Sequence, residues 1–158
     1  MKRTKKLIIC ALAFIPLGLK AQSVPIMETG NNNMPNEWID RDTGHKVIKL
    51  TRRAGDNTSF YFHNNPFVGN EMLFAGSTGY DTKDSQMYAV NLSTLDIRQI
   101  THESFPVRTE IASAATHEIF FQHGDSVFAT NTDTGQRRFI TRIEAGNGHG
   151  SINCVNCD

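Results

Sequence analysis

An internal repeat constrains this chain more than any other feature. "YAVNLSTLDIRQITH" (Tyr88 to His102) aligns with "FATNTDTGQRRFITR" (Phe128 to Arg142). Both run from an aromatic residue through Asn and a Thr-containing turn to a closing Ile-Thr. "IDRDTGHKVIKLTRR" (Ile39 to Arg53) carries a third copy of the turn and the ending. The closing threonines, Thr51, Thr101 and Thr141, are spaced by about 50 and 40 residues, near the period of propeller blades. "Asp-Thr-Gly" or "Ser-Thr-Leu" supplies a tight hairpin turn between a blade's third and outer strands. The Ile or Leu before the closing Thr turns the outer strand inward.

Four strands per blade follow. In the first full blade they are "SFYFHN", "EMLFAGS", "QMYAVNL" and "DIRQITH"; in the second, "RTEIASA", "HEIFFQHG", "SVFATNT" and "RRFITRI". "KVIKLTR" stands alone as the outer strand of a last blade, and "SINCVNCD" opens a third blade as an inner strand. No amphipathic helix of useful length is legible. The expected fold is all-β: an incomplete β-propeller of about two blades, an N-terminal outer strand and the first strand of a third. Closure takes about four to eight blades, so the chain reads as the N-terminal part of a longer propeller. Phe62, Phe74 and Phe120 are the expected blade-packing residues.

The N-terminus carries a different signal. Lys2, Arg3, Lys5 and Lys6 precede the apolar run Leu7 to Leu19, and Ala21 offers a small residue for cleavage. Residues 1–21 therefore read as a secretory signal peptide, and the protein as exported, periplasmic or secreted. The run falls short of the roughly 20 apolar residues of a spanning helix and contains Pro16. Residues 22–36, rich in Asn, Pro and Gly, read as a linker, and 37–158 as the propeller portion. Loss of the signal removes five of 16 basic residues and none of 16 acidic ones, leaving a net charge of −5. That balance argues against a nucleic-acid partner, which calls for clustered Lys and Arg. No other segment reads as a membrane span.

"DRDTGHKVIKLTRR", "SFYFHNNPF", "NEMLFAGS" and "YAVNLSTLDIRQITH" together resemble the start of oligogalacturonate lyases, from about Glu37 to Asp158. The ordered Asp-x-x-Thr-Gly-x-x-Val-x-x-Leu-Thr opening is the more specific part; the blade motifs are shared with TolB-like propellers. The resemblance implies a seven-bladed propeller that cleaves oligogalacturonides by β-elimination with a divalent metal, typically Mn²⁺. It also implies that the metal ligands, base and arginine of that reaction lie in later blades, so no catalytic or metal-binding residue is assigned here. β-Elimination requires removal of the uronate C5 proton while the neighbouring carboxylate's charge is neutralised.

Binding candidates remain. His63 and Asn64 close an expected inner strand, whose end lines a propeller's channel; either could meet a sugar hydroxyl or carboxylate. The plainer reading is a turn built by Asn64, Asn65 and Pro66. Arg108 starts the next inner strand and could pair with a uronate carboxylate, whereas Arg137 and Arg138 fall on an outer strand. His149, in "GNGHGS", could project from an inter-blade loop. "HEIFFQH" is not a helical zinc motif: as a strand it holds His117 and His123 roughly 20 Å apart. Cys154 and Cys157 are half of a zinc site at most, and one pair makes no disulfide framework. The rival to the lyase reading is a non-enzymatic TolB-like propeller that binds a protein or glycan at the cell envelope.

Overall fold

The computed structural model describes residues 23–30, 33–144, 150–152 and 154–155. The expected signal peptide, His149 and Cys157 lie outside them. Among the described residues there is no helix, and none long and apolar enough to cross a membrane. Twelve strands form three sheets.

The first sheet joins β1 (Ile26–Met27), β2 (Glu37–Asp40) and β3 (Lys46–Ile48). The segment expected as a linker thus contributes β1, which pairs in parallel with β2. The expected lone outer strand is instead half of a hairpin: β3 pairs antiparallel with β2, with Trp38 opposite Val47.

The second sheet is the first full blade. It orders β4 (Asp56–Thr58), β6 (Glu71–Ser77), β7 (Gln86–Asn91) and β8 (Ile97–Gln99). A short β5 (Phe67–Val68) also pairs with β6. The third sheet orders β9 (Ile111–Ser113), β10 (Glu118–His123), β11 (Ser126–Asn131) and β12 (Arg137–Arg142), all antiparallel.

The repeat has one physical basis in all three hairpins. The first turn residue is Asp40, Asn91 or Asn131. Its side-chain oxygen accepts from the backbone N–H three residues on, at Thr43, Thr94 or Thr134, over 2.9–3.0 Å. Its carbonyl accepts from Gly44, Leu95 or Gly135, each with positive φ. An Asx side chain that mimics a backbone turn, followed by a left-handed residue, closes a tight hairpin.

Strand alternation then builds the inter-blade core. Leu73, Ala75, Met87 and Ala89 share one face of the first blade and meet Ile119 and Phe121 of the second. Ile100, before the closing Thr101, joins this core at 1% exposure. Its counterpart Ile140 is exposed. Burying each such side chain contributes about 1.5–3 kcal/mol. Phe74 and Phe120 are buried as expected. Phe62 is not: it is 76% exposed, and Phe60 fills the core in its place.

That difference follows from the inner strand of the first blade. The aromatic run from Ser59 to Asn64 has strand propensity but leaves the sheet. β4 pairs with Ala75 to Ser77 and β5 with Glu71 and Met72, on the same partner strand. Only Leu73 and Phe74 separate those two pairings, yet residues 59–66 separate β4 from β5. The surplus loops out. Asn64 N–H closes a turn onto the Tyr61 carbonyl at 2.8 Å, and the Asn65 side chain accepts from Phe67 N–H at 3.0 Å.

On the blade's other face, Phe74 stacks on Tyr88 and the Arg53 guanidinium lies over Tyr88, 4.5 Å from its centroid. Arg53 also donates to the Asp56 carbonyl, the Asn57 side chain and the Ser77 carbonyl at 2.8–3.0 Å. Gly76 permits this approach: a Cβ there would stand 2.6 Å from Arg53 Nη1 and 2.9 Å from the Tyr88 ring.

Candidate functional site

The loop of residues 59–66 leaves the inner strand of the first blade beside the start of the second blade's inner strand. Asn64 Nδ2 donates to Glu110 Oε2 at 2.8 Å across 46 residues of sequence. This contact closes one side of a groove of about 380 Å³. Arg108, Glu110, Gln122 and Ser151 line it with Asn64, over an apolar floor that includes Phe121 and Ile111.

Each polar group has a structural origin. Thr109 is buried and donates to the Phe120 carbonyl at 2.5 Å, so the chain before β9 stays anchored to β10. Alternation about Thr109 sends Arg108 and Glu110 to one side. Arg108 is exposed, with no ion-pair partner among the described residues. Gln122 holds the far wall: its amide donates to the Gly150 carbonyl at 2.9 Å and its oxygen accepts from Ile152 N–H at 3.1 Å.

Asn64 and Arg108, candidates from separate parts of the sequence, therefore line one groove. His63 does not line it. Its ring packs instead in the same loop, 3.9 Å from the Phe62 ring centroid and 5.4 Å from that of Tyr61. Glu110 and Gln122 went unrecognised in the sequence, although period-two alignment with Arg108 would have pointed to Glu110.

Arg98, Arg137 and Arg138 are engaged elsewhere. Arg137 pairs with Glu103 at 2.5 Å and lies over Phe128. Arg138 meets Glu118 through two bonds of 2.7 and 2.9 Å. The Arg138 side chain holds the Glu118 carboxyl below its ordinary range. Arg98 bridges the blades, bonding Glu71 in the first and the Thr132 carbonyl in the second.

His117 and His123 flank or end the strand β10, as expected, and turn to different partners. His117 faces Asp133 at 2.9 Å, and His123 stacks on Phe105. Cys154 is exposed. Residues 151–152 and 154–155, in the segment expected to open a third blade, carry no strand. Among the described residues no three His, Cys, Asp or Glu side chains converge in a way that could hold a metal ion.

No family model matches the chain, and no curated protein is significantly similar to it. A solved structure of an oligogalacturonate lyase from Vibrio parahaemolyticus is similar to it, with a TM-score of 0.53 at 23% identity. The likeness covers 68% of this chain and 29% of that one. The fold is that of a β-propeller, in part. The five-stranded and the four-stranded sheet are its blades, and the β2–β3 hairpin repeats the third and outer strands of another. The groove lies beside the start of β9 in the second blade and the 59–66 loop of the first.

Proposed function

We propose that this chain is the N-terminal, substrate-recognising part of an exported propeller related to oligogalacturonate lyases, and that its groove binds an acidic sugar. The observation that carries the reading is the convergence of Arg108, Glu110 and Asn64 in one groove; inner strands of a propeller border its channel, and this reading sets the groove there. A guanidinium beside hydrogen-bonding groups suits a hexuronate, which presents one carboxylate amid hydroxyls. Arg108 takes the carboxylate, and the Glu110 carboxylate takes a hydroxyl. The similarity to a lyase of oligogalacturonate supports the substrate class.

In this reading the described residues bind and orient. A uronate held by its carboxylate has its C5–H and its C4–O bond fixed in space, the two bonds that β-elimination breaks. Manganese, expected for the whole enzyme, would supply further neutralisation of that carboxylate, and none of the described residues is assigned to it.

Calorimetric titration with digalacturonate tests the reading. Saturable binding that weakens with added salt is expected, because the dominant contact is ionic. Absence of binding at low salt would sink it. A second assay separates the lyase from the rival TolB-like module: with Mn²⁺ and a chain carrying all its blades, ultraviolet absorbance of an unsaturated product marks elimination, and binding without product marks the module.

A further inference from the structure

The 59–66 loop raises a second feature beside the groove. Tyr61 and Phe62 are 57% and 76% exposed, and their ring centroids lie 4.3 Å apart. His63 packs on Phe62 to complete an exposed cluster of three rings. Leaving large aromatics in water forgoes about 1.5–3 kcal/mol of burial each. The core does not need them, since Phe60 from the same loop already fills it. Contiguous exposed rings mark a binding surface.

The cluster and the groove form one piece. Asn64 follows His63, bonds back to the Tyr61 carbonyl, and bonds forward to Glu110 in the groove wall. The turn that carries the rings is thereby tied to a residue that lines the groove. The second blade has no such loop: Thr109 and β9 run directly along β10. The surplus residues of the first blade's inner strand thus serve to project this surface.

We propose that Tyr61, Phe62 and His63 are a stacking platform for a pyranose ring, the unit next to the one held by Arg108. A pyranose has a face of C–H bonds and an equator of polar groups. The rings are tilted to one another by 44–57°, so the exposed face of a single ring accepts that C–H face, while the adjoining polar groove takes the equator. An apolar protein surface laid over the rings would leave the Arg108 guanidinium without a counter-charge, at a cost. An oligosaccharide satisfies both parts. This inference rests on the sugar reading of the groove and adds a subsite to it.

The test is the dependence of affinity on chain length, followed by NMR titration with galacturonate and trigalacturonate. The wild-type chain should bind trigalacturonate more tightly than galacturonate. Tyr61→Ala/Phe62→Ala should weaken trigalacturonate binding about two- to tenfold and leave galacturonate binding unchanged. Tyr61→Phe/Phe62→Tyr, which keeps both rings, should restore the gain. Arg108→Ala should weaken both ligands. Both aromatic positions are exposed, so an unaltered unfolding midpoint is the expected control. Unchanged trigalacturonate affinity in the double alanine variant would overturn the platform while leaving the groove intact. Failure of wild type to bind either sugar would overturn the groove reading and the platform with it.

Discussion

Leu95 and Gly135 occupy the same place in consecutive blades, both left-handed, at φ 63° and 71°. Each N–H closes its hairpin onto the carbonyl four residues back, on Asn91 or Asn131. Glycine takes this conformation freely, whereas a branched side chain is strained by about 1–2 kcal/mol. Leu95→Gly should therefore raise stability by up to about 1 kcal/mol, after the added freedom of the unfolded chain is subtracted. Gly135→Ala should lower it by about 1 kcal/mol or more. Urea midpoints check both; a loss of stability in Leu95→Gly would count against a shared turn geometry.

Thr130 stands in β11 opposite Ile119, at 1% exposure, and its hydroxyl has no hydrogen-bond partner among the described residues. An unpaired buried hydroxyl costs about 1–3 kcal/mol. Valine has nearly the same shape. Thr130→Val should stabilise the chain by about 1 kcal/mol, while Thr130→Ser should destabilise it by keeping the hydroxyl and removing a methyl group. Thermal unfolding of the pair decides the matter by sign.

Arg53 fastens the segment after the first hairpin to the first blade through three acceptors and the Tyr88 ring. Arg53→Ala should cost about 1–3 kcal/mol. Lysine cannot reproduce the fork, so Arg53→Lys should recover only part of the loss. Hydrogen exchange at Asn57 and Gly76 should quicken in both variants; unchanged exchange would argue against the fastening.

Several carboxyl groups titrate below their ordinary range. Asp40 is lowered by hydrogen bonds from Thr29 and Thr43, Asp84 by those from Thr78, and Glu118 by that from Arg138. Each binds its proton more weakly folded than unfolded. The unfolded chain therefore takes up more protons as the pH falls, and acid favours unfolding. Their contribution is complete above about pH 4.5, the ordinary carboxylate value, and is lost as pH drops through the lowered folded values. Glu118→Gln should reduce stability at neutral pH and flatten the acid limb. An unchanged acid limb would contradict the assigned role of the Arg138 pair.

The blade architecture was legible because a repeat reports the same local physics several times. An Asx side chain, a threonine and a left-handed residue recur in each hairpin, and strand alternation places Leu73, Met87 and Ile119 in one core. The inner strand was misplaced because β-propensity in Ser59 to Asn64 competes with register. Asp56 to Thr58 already satisfies the edge of β6, so the aromatic run has no partner strand and turns outward. That also explains Phe62, which pattern alone sends inward. The groove was half legible. Arg108 and Asn64 could be named as polar residues near inner-strand ends, but their meeting depends on the Asn64–Glu110 bond, a contact across 46 residues that no local pattern encodes.

The most direct measurement compares digalacturonate with its methyl ester, titrated into wild-type chain and Arg108→Ala. The account predicts that wild type prefers the acid, that esterification weakens binding about tenfold or more, as expected for loss of a charge-assisted bond, and that Arg108→Ala binds both forms equally weakly. Equal affinity of wild type for acid and ester, or an undiminished preference in Arg108→Ala, would contradict it.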